Sequence, residues 1–248
     1  MLLAWILVTS ACQPDPDPRT AGDSTVAAAR ASDAPATPRD SVRARAVVDS
    51  LGPHAGADRI AAARLFMALR HRNSTIGSRA AWWISQAGPS MVAALTSALA
   101  DSNSNVQTRA AYALGEIGRP AASAQAALLD IVANGSDSAA NMASWALSKA
   151  APRQSGPRVR VLRALRFNEM PGRNEAAVDA GWLGANEAIP LLVRLLADST
   201  PETRHLAGEA LVRIGPMSIP ALERVAAGAD TQSRIASMLL LQKLRRPS

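Results

Sequence analysis

The chain has 248 residues, enough for one or two domains with a substantial apolar core. Apolar residues make up 48% of it, largely Ala and Leu, and aromatic residues only 3%, which argues against a β-sheet protein because sheets favour β-branched and aromatic side chains. The formal net charge is +7, but only two of the 27 basic residues are Lys. Such Arg enrichment can follow from codon usage, so basicity alone is weak evidence for nucleic-acid binding.

The first residues form an apolar stretch that ends at the only cysteine, Cys12. Residues 2–11 are uncharged and too few to span a bilayer. Thr9, Ser10 and Ala11 before Cys12 resemble the small-residue box of bacterial lipoproteins. That resemblance implies cleavage before Cys12 and attachment of a lipid to its thiol, in a signal peptide covering residues 1–12. The alternative is a disordered apolar N-terminus. A single cysteine also excludes an intrachain disulfide and a thiolate zinc cage.

Residues 13–39 are rich in Pro, Asp, Ser, Thr and Ala and show no hydrophobic periodicity. This composition is typical of a disordered tether, because it offers too little apolar surface to offset the entropy of folding. We expect the tether to hold a folded part some distance from the membrane surface.

The stretch from Val106 to Val132 predicts a helical hairpin. Its first apolar stripe has the spacing of one helix face and consists of Val106, Ala110, Ala113, Leu114 and Ile117. Gly118 can take the left-handed conformation that ends a helix, and Pro120 favours the start of the next. The second stripe faces back on the first and consists of Ala124, Leu128, Ile131 and Val132.

The same hairpin recurs from Asp40 onward. The residues that end the first helices are spaced by 30 to 36 residues: Gly52, Gly88, Gly118, Ala151, Gly184 and Gly215. The last unit is half a repeat, with one helix from Arg234 to Leu244. Such periods indicate a solenoid. We therefore predict an all-α fold, a right-handed α-solenoid of about six helical hairpins over residues 40–248.

Three leucines take the same central position in their repeats, and we expect each to be buried: Leu114, Leu147 and Leu211. We expect Arg109, by contrast, to lie on the outer face of its helix, where its loss changes stability little.

The best repeat runs from Thr203 to Gly215 and resembles HEAT-type repeats of the short bacterial kind related to phycobilin-lyase repeats. The matching residues are Arg204, Ala207, Leu211, Ile214 and Gly215. At the Arg position of another repeat stands Gln107. The resemblance covers about residues 40–245 and implies a binding scaffold whose second helices line the concave face.

No catalytic motif is recognisable in the sequence. The histidines, His54, His71 and His205, lie in separate repeats or in a turn, so we expect no metal site, and His205 is expected at the surface. We expect no catalytic residues, no cofactor and no enzymatic activity.

Large aromatic rings are scarce, and we expect Trp83, Trp145 and Trp182 to fill the core between helices. Adjacent residues on a helix point about 100° apart, so Trp82 and Trp83 cannot both face inward. One of the two is expected to be semi-exposed, and Trp82 is the candidate for a partner contact.

Basic residues recur on the predicted second helices of the C-terminal half. Four lie in one helix: Arg158, Arg160, Arg163 and Arg166. Glu169 is the only acidic residue expected to offset them. Arg194 and Arg224 each follow a proline by four residues, so they are equivalent positions. The pattern predicts either a solvated arginine face or an electropositive groove. For the groove, the candidate binding residues are Arg158, Arg163, Arg194 and Arg224.

Together these features predict a non-enzymatic scaffold, lipid-anchored in a bacterial envelope on the periplasmic side, that binds a protein or peptide, possibly acidic, in its concave groove. The alternative is a HEAT-like enzyme of the lyase type or a nucleic-acid-binding solenoid. An exported protein does not meet genomic DNA, whereas a cytoplasmic one without a true leader does, and the basic groove then makes nucleic acid the first ligand to test.

Overall fold

The structure is a computed structural model that describes residues 38–168, 172–228 and 230–245. The predicted leader with Cys12, and nearly all of the predicted tether, lie outside the described residues. By its internal contacts the chain divides into two units, Met1–Val42 and Arg43–Ser248. The first unit is described from Pro38 to Val42, which is helical. The second unit contains the repeats.

The described residues form thirteen α-helices and no β-strand, which confirms the all-α prediction. In chain order the helices are α1 (Pro38–Leu51), α2 (Arg59–Ala68), α3 (Ser74–Gln86), α4 (Val92–Ala98), α5 (Ser104–Ile117), α6 (Gln125–Asn134), α7 (Asp137–Ala150), α8 (Pro152–Phe167), α9 (Arg173–Trp182), α10 (Ile189–Leu195), α11 (Pro201–Ile214), α12 (Ile219–Gly228) and α13 (Thr231–Arg245).

Consecutive helices form the six predicted hairpins, in which the odd-numbered helix comes first, and α13 is the half repeat. Gly118 and Gly215 follow α5 and α11 with φ angles of 71° and 86°. A residue with a side chain would be strained in this conformation. A short 3₁₀ helix then leads into the second helix in five of the six hairpins. In the hairpin of α7 and α8, Ala151 alone makes the connection.

Short polar residues begin several helices by accepting a hydrogen bond from a backbone N–H of the first turn. Asn73 accepts from Thr75 at 3.0 Å before α3, and Asn103 accepts from Asn105 at 2.9 Å before α5. The Ser136 hydroxyl accepts from Ala139 at 3.3 Å before α7. Each of these caps satisfies an N–H donor that the helix itself leaves unpaired. The start of each helix is therefore determined by residues next to it in the sequence.

The core lies between the two layers of helices. The first helices α3, α5 and α7 pack side by side, as do α9, α11 and α13, while the second helices α8, α10 and α12 contact one another in order. Alanines allow this close approach, and leucines fill the centre. Leu114, Leu147 and Leu211 are fully buried, which confirms their predicted positions.

Two tryptophan rings pack directly against a glycine of the preceding hairpin. A Cβ atom at Gly115 of α5 would lie 2.1 Å from the Trp145 ring of α7, and a Cβ at Gly52, just after α1, would lie 2.0 Å from the Trp83 ring of α3. Both rings are half-buried and pack against the core. The prediction that they fill the core is therefore confirmed in part. Trp145 also stacks on Tyr112, with ring centroids 5.9 Å apart.

The core prediction for Trp182 is wrong, because this side chain is 71% exposed. Trp182 is the last residue of α9. The Arg213 guanidinium of α11 lies 4.0 Å from the ring centroid, a cation–π contact at the surface.

Candidate functional site

The second helices of the last two hairpins each carry one exposed arginine, Arg194 on α10 and Arg224 on α12. Their neighbours are buried alike, with Leu192 and Leu222 both at 0% exposure, so the two helices present matching faces. Helices α10 and α12 contact each other. We call Arg194 and Arg224, with the faces that bear them, the basic surface.

Neither arginine of the basic surface forms an ion pair with any carboxylate in the part of the chain that the structure describes. Arg224 makes one hydrogen bond, from Nε to the Pro220 carbonyl at 3.3 Å within its own helix. Glu223, the adjacent acidic residue, is bound by the Arg245 guanidinium of α13. The charge of Arg224 is therefore not neutralised by its neighbour in sequence.

Two other predicted binding residues are engaged within the fold. Arg158 pairs with Glu187 at 2.7 Å and also donates to the Leu183 carbonyl at 3.2 Å, so it connects α8 to the next hairpin. Arg163 is half-buried and donates to the Asn141 side chain at 2.7 Å. Arg158 and Arg163 are thus held by contacts within the fold, whereas Arg160 of the same helix is exposed. Glu169 lies outside the described residues, and the expectation that it alone offsets these arginines is wrong, because Glu187 of the next hairpin pairs with Arg158.

The Arg166 side chain of α8 binds backbone carbonyls within the fold. Its guanidinium donates to the carbonyls of Val132 at 3.2 Å and Ala133 at 3.1 Å, and also to that of Gly135, at the carboxyl end of α6. It also pairs with Asp137 at 3.0 Å. Carbonyls at a helix end have no donor within the helix, so the arginine satisfies them and places a cation at the negative end of the helix dipole.

Arg109 plays the same part for α2, and its predicted place on the outer face is wrong. The residue is 7% exposed, and its guanidinium donates to the carbonyls of Leu69 and, at 3.1 Å, of His71. It passes over Gly77 of α3, where a Cβ would lie 2.2 Å from the guanidinium. Burial lowers the pKa of Arg109. Periodicity alone missed this contact because its partners lie some forty residues upstream.

Gln107 and Arg204 hold equivalent positions in α5 and α11 and make equivalent contacts. Arg204 donates to the Asp198 carbonyl at 2.7 Å, and Gln107 donates to the Asp101 carbonyl at 2.9 Å, in each case six residues back. Both bonds fasten the loop that precedes the helix. The Gln at the Arg position of this repeat therefore preserves the structural contact.

Trp82, the remaining candidate, lies in a cluster with Arg79, Trp83 and Asp49. Asp49 accepts hydrogen bonds from Arg79 Nε at 2.6 Å and from Trp83 Nε1 at 2.9 Å, and these bonds, the Arg79 bond above all, lower the pKa of the Asp49 carboxyl. The Arg79 guanidinium lies 4.7 Å from the Trp82 ring centroid. Both tryptophans are half-buried, so the expected division into one inward and one semi-exposed ring is not seen.

The described ranges contain no group of three or more His, Cys, Asp or Glu side chains placed to hold a metal ion. His205 is exposed as expected, and its Nε2 lies 3.5 Å from Glu209 Oε1, a carboxylate four residues on that the sequence interpretation overlooked. His71 accepts a hydrogen bond from the Asn73 backbone N–H at 3.0 Å, which gives this histidine a structural role. Of the helices described, none is both long and apolar enough to cross a membrane.

Among comparisons with known proteins, the match to a family model supports the fold. No curated protein matches the sequence. Among solved structures, human deoxyhypusine hydroxylase in complex with glycerol is similar at 18% identity and a TM-score of 0.28, covering 83% of this chain and 98% of that one. An engineered protein is similar at 18% identity and a TM-score of 0.28, covering 83% and 90%. Residues 62–148, from α2 to α7, match the family model of HEAT repeats, and this match supports a HEAT-type helical repeat architecture.

Proposed function

We propose that the protein is a non-enzymatic scaffold whose basic surface binds an acidic segment of a protein or peptide. The observation that carries the proposal is the pair Arg194 and Arg224, which are exposed, lie at matched positions on contacting helices, and have no carboxylate partner in the described part of the chain. Helical repeats are used mainly as binding scaffolds, so the fold is consistent with this role.

The chemistry of arginine favours an anionic ligand. Like charges on neighbouring helices repel one another, which slightly destabilises the free protein. A ligand with carboxylates relieves that repulsion, and the planar guanidinium can bind a carboxylate through two parallel hydrogen bonds. Arg163 on α8, next to α10, extends the same row but is already bound to Asn141. We therefore expect it to contribute less than Arg194 and Arg224.

A double variant, Arg194→Glu with Arg224→Glu, tests the proposal. We expect it to bind a fluorescent glutamate-rich peptide at least about tenfold more weakly than wild type, because each reversed charge now repels the ligand. Wild-type binding should also weaken as salt rises, since screening shortens the reach of exposed charges to about 10 Å at 0.1 M. Fluorescence anisotropy measures both effects.

The matched control is Arg72→Glu with Arg119→Glu, which makes the same change in net charge at two other exposed arginines. Binding that falls equally in both double variants, or that is indifferent to salt, would overturn the proposal. A titration with a DNA duplex in parallel distinguishes the alternative partner: tighter binding to DNA than to the peptide, lost in the same variant, makes the scaffold a nucleic-acid binder.

We further propose that the scaffold is anchored by a lipid on Cys12 in a bacterial envelope, facing the periplasm. Support comes from Thr9-Ser10-Ala11-Cys12 and from the Pro-rich stretch that follows it. Cells expressing the chain should hold it in the membrane fraction, and Cys12→Ser should release it, because the lipid supplies the membrane affinity. Metabolic labelling with a fatty acid checks the modification directly. Unlabelled wild type, or equal membrane fractions for both, contradicts the anchor.

A further inference from the structure

We propose that the exposed face of α13 docks reversibly on an anionic membrane surface. This contact is separate from the lipid anchor and from the basic surface. It rests on three exposed apolar residues of α13, Ile235, Met238 and Leu239, which we call the apolar strip.

The apolar strip occupies one face of the helix. Ile235, Met238 and Leu239 are 52%, 54% and 61% exposed, and their spacing of three and four residues places them together on one side. The opposite side packs against α11 and α12. There the buried residues include Ser233 and Ser237, whose hydroxyls have no hydrogen-bond partner among the described residues.

This distribution is the reverse of what an exposed helix face in water favours, because apolar side chains gain free energy when they leave water and hydroxyls lose it when they are buried without a partner. In α13 the outer face carries Ile, Met and Leu, while hydroxyls are buried on the inner face. An outer surface of this composition is suited to an apolar environment.

Basic side chains border the apolar strip on both sides. At about 100° per residue, Arg234 and Arg245 fall along one edge and Lys243 along the other. All three are exposed, and no Asp or Glu occurs from Thr231 to Arg245. Arg245 also binds Glu223 of α12, so Arg234 and Lys243 are the cations whose charge is not offset by a described carboxylate.

An apolar strip between two rows of cations is the arrangement of a helix that lies in a lipid interface. The apolar side chains enter the boundary of the acyl chains, and the long basic side chains reach up to anionic headgroups. A partner helix fits less well, because recognition of a helix normally needs a groove. The strip projects from a single helix, and the depression beside Leu239 has charges of both signs in its lining, Glu209 against Arg204 and Lys243, so it does not select a partner of one charge.

Vesicle co-sedimentation tests the proposal on the full chain carrying Cys12→Ser, which has no lipid of its own. We expect binding to vesicles of equal parts phosphatidylcholine and phosphatidylglycerol, and much weaker binding to phosphatidylcholine alone. Met238→Asp with Leu239→Asp should reduce binding to the anionic vesicles at least about tenfold, since it places charge in the acyl boundary. Arg234→Glu with Lys243→Glu should do the same by reversing the flanking charge, and it remains informative if the first variant fails to fold.

Two controls separate this site from the others. Met67→Asp with Met217→Asp introduces the same two charges at residues that are 73% and 62% exposed outside α13, and it should leave vesicle binding within about twofold of the parent. Arg194→Glu with Arg224→Glu should also leave most of the vesicle binding intact, although we expect it to weaken binding of the acidic peptide. Vesicle binding that survives both α13 variants, or that is equal on neutral and anionic lipid, overturns the proposal. So does a glutamate-rich amphipathic peptide that binds α13 in solution while vesicles do not.

Discussion

The second and third hairpins share one kind of interior with the C-terminal hairpins and present a different surface. Second helices α4 and α6 carry a single charged residue between them, Asp130, whereas α8, α10 and α12 carry Arg at exposed or half-buried positions, as does α2 of the first hairpin with Arg59 and Arg64. The buried leucines and alanines are the same in kind throughout. In this repeat protein the packing between helices and the chemistry of the surface are therefore specified by separate sets of residues.

The number of arginines in the sequence overstates the positive charge that is available on the surface. Arg109 in the N-terminal half and Arg166 in the C-terminal half both bind carbonyls at the end of an earlier second helix. Arg158 is paired with Glu187 across repeats. Of the exposed arginines without a carboxylate partner in the described ranges, Arg194 and Arg224 are the two that lie at matched positions on contacting second helices.

The largest expected effect tests whether the two halves have equivalent interiors. Leu114→Ala and Leu211→Ala should each lower the free energy of unfolding by about 2–5 kcal/mol, because both side chains are fully buried and truncation leaves a cavity. Urea denaturation followed by circular dichroism measures the loss. As a control, Leu239→Ala, at 61% exposure, should change stability by less than about 0.5 kcal/mol. A loss at one leucine much smaller than at the other would break the equivalence of the halves.

The next effect tests the division between structural and surface arginines. Arg109→Ala should cost about 1–3 kcal/mol, because the carbonyls of Leu69 and His71 lose their donor inside the protein. Arg194→Ala, on the exposed side, should stay within about 0.5 kcal/mol. Thermal and urea denaturation compare the two variants directly. Equal losses would show that Arg109 is solvated and that the division is wrong.

The smallest effect concerns Asp49 beside Arg79 and Trp83. Its pKa is lowered in the folded state, so the unfolded chain binds the proton more readily. The stability it adds is therefore complete above the unfolded pKa, near 3.9, and disappears as pH falls through the lower folded value. Asp49→Asn should be less stable than wild type at pH about 6, and the difference should shrink as pH falls to about 3. A difference in urea midpoint that stays constant with pH would contradict this account.

The fold was largely predictable because its signals are local. Helix stripes, the residues that close first helices and the half repeat at the end all depend on neighbours within one hairpin, and α13, predicted from Arg234 to Leu244, runs from Thr231 to Arg245. Capping residues such as Asn103 act within three positions. Local patterns of this kind can be read without knowledge of the tertiary contacts.

The roles of the arginines and tryptophans were less predictable because they depend on distant residues. Arg109 is buried only because Gly77, on another helix, leaves space for it. Arg158 finds Glu187 in the next hairpin, and Trp182 is exposed because α9 ends there. Periodicity says which face of a helix a residue occupies, but not what the neighbouring helix offers at that point.

The glycines beneath the tryptophans have a consequence for how this array can change in evolution. Trp145 requires a residue without Cβ at Gly115 in the preceding repeat, and Trp83 requires one at Gly52. A duplication or reshuffling that placed either tryptophan repeat after a hairpin with a larger residue there would bring the Cβ of that residue into collision with the ring. The hairpins are alike in outline, yet each of these tryptophan repeats must follow a repeat that has glycine at the contacting position. Recombination between repeats therefore keeps the fold only at junctions that preserve these glycine–tryptophan pairs.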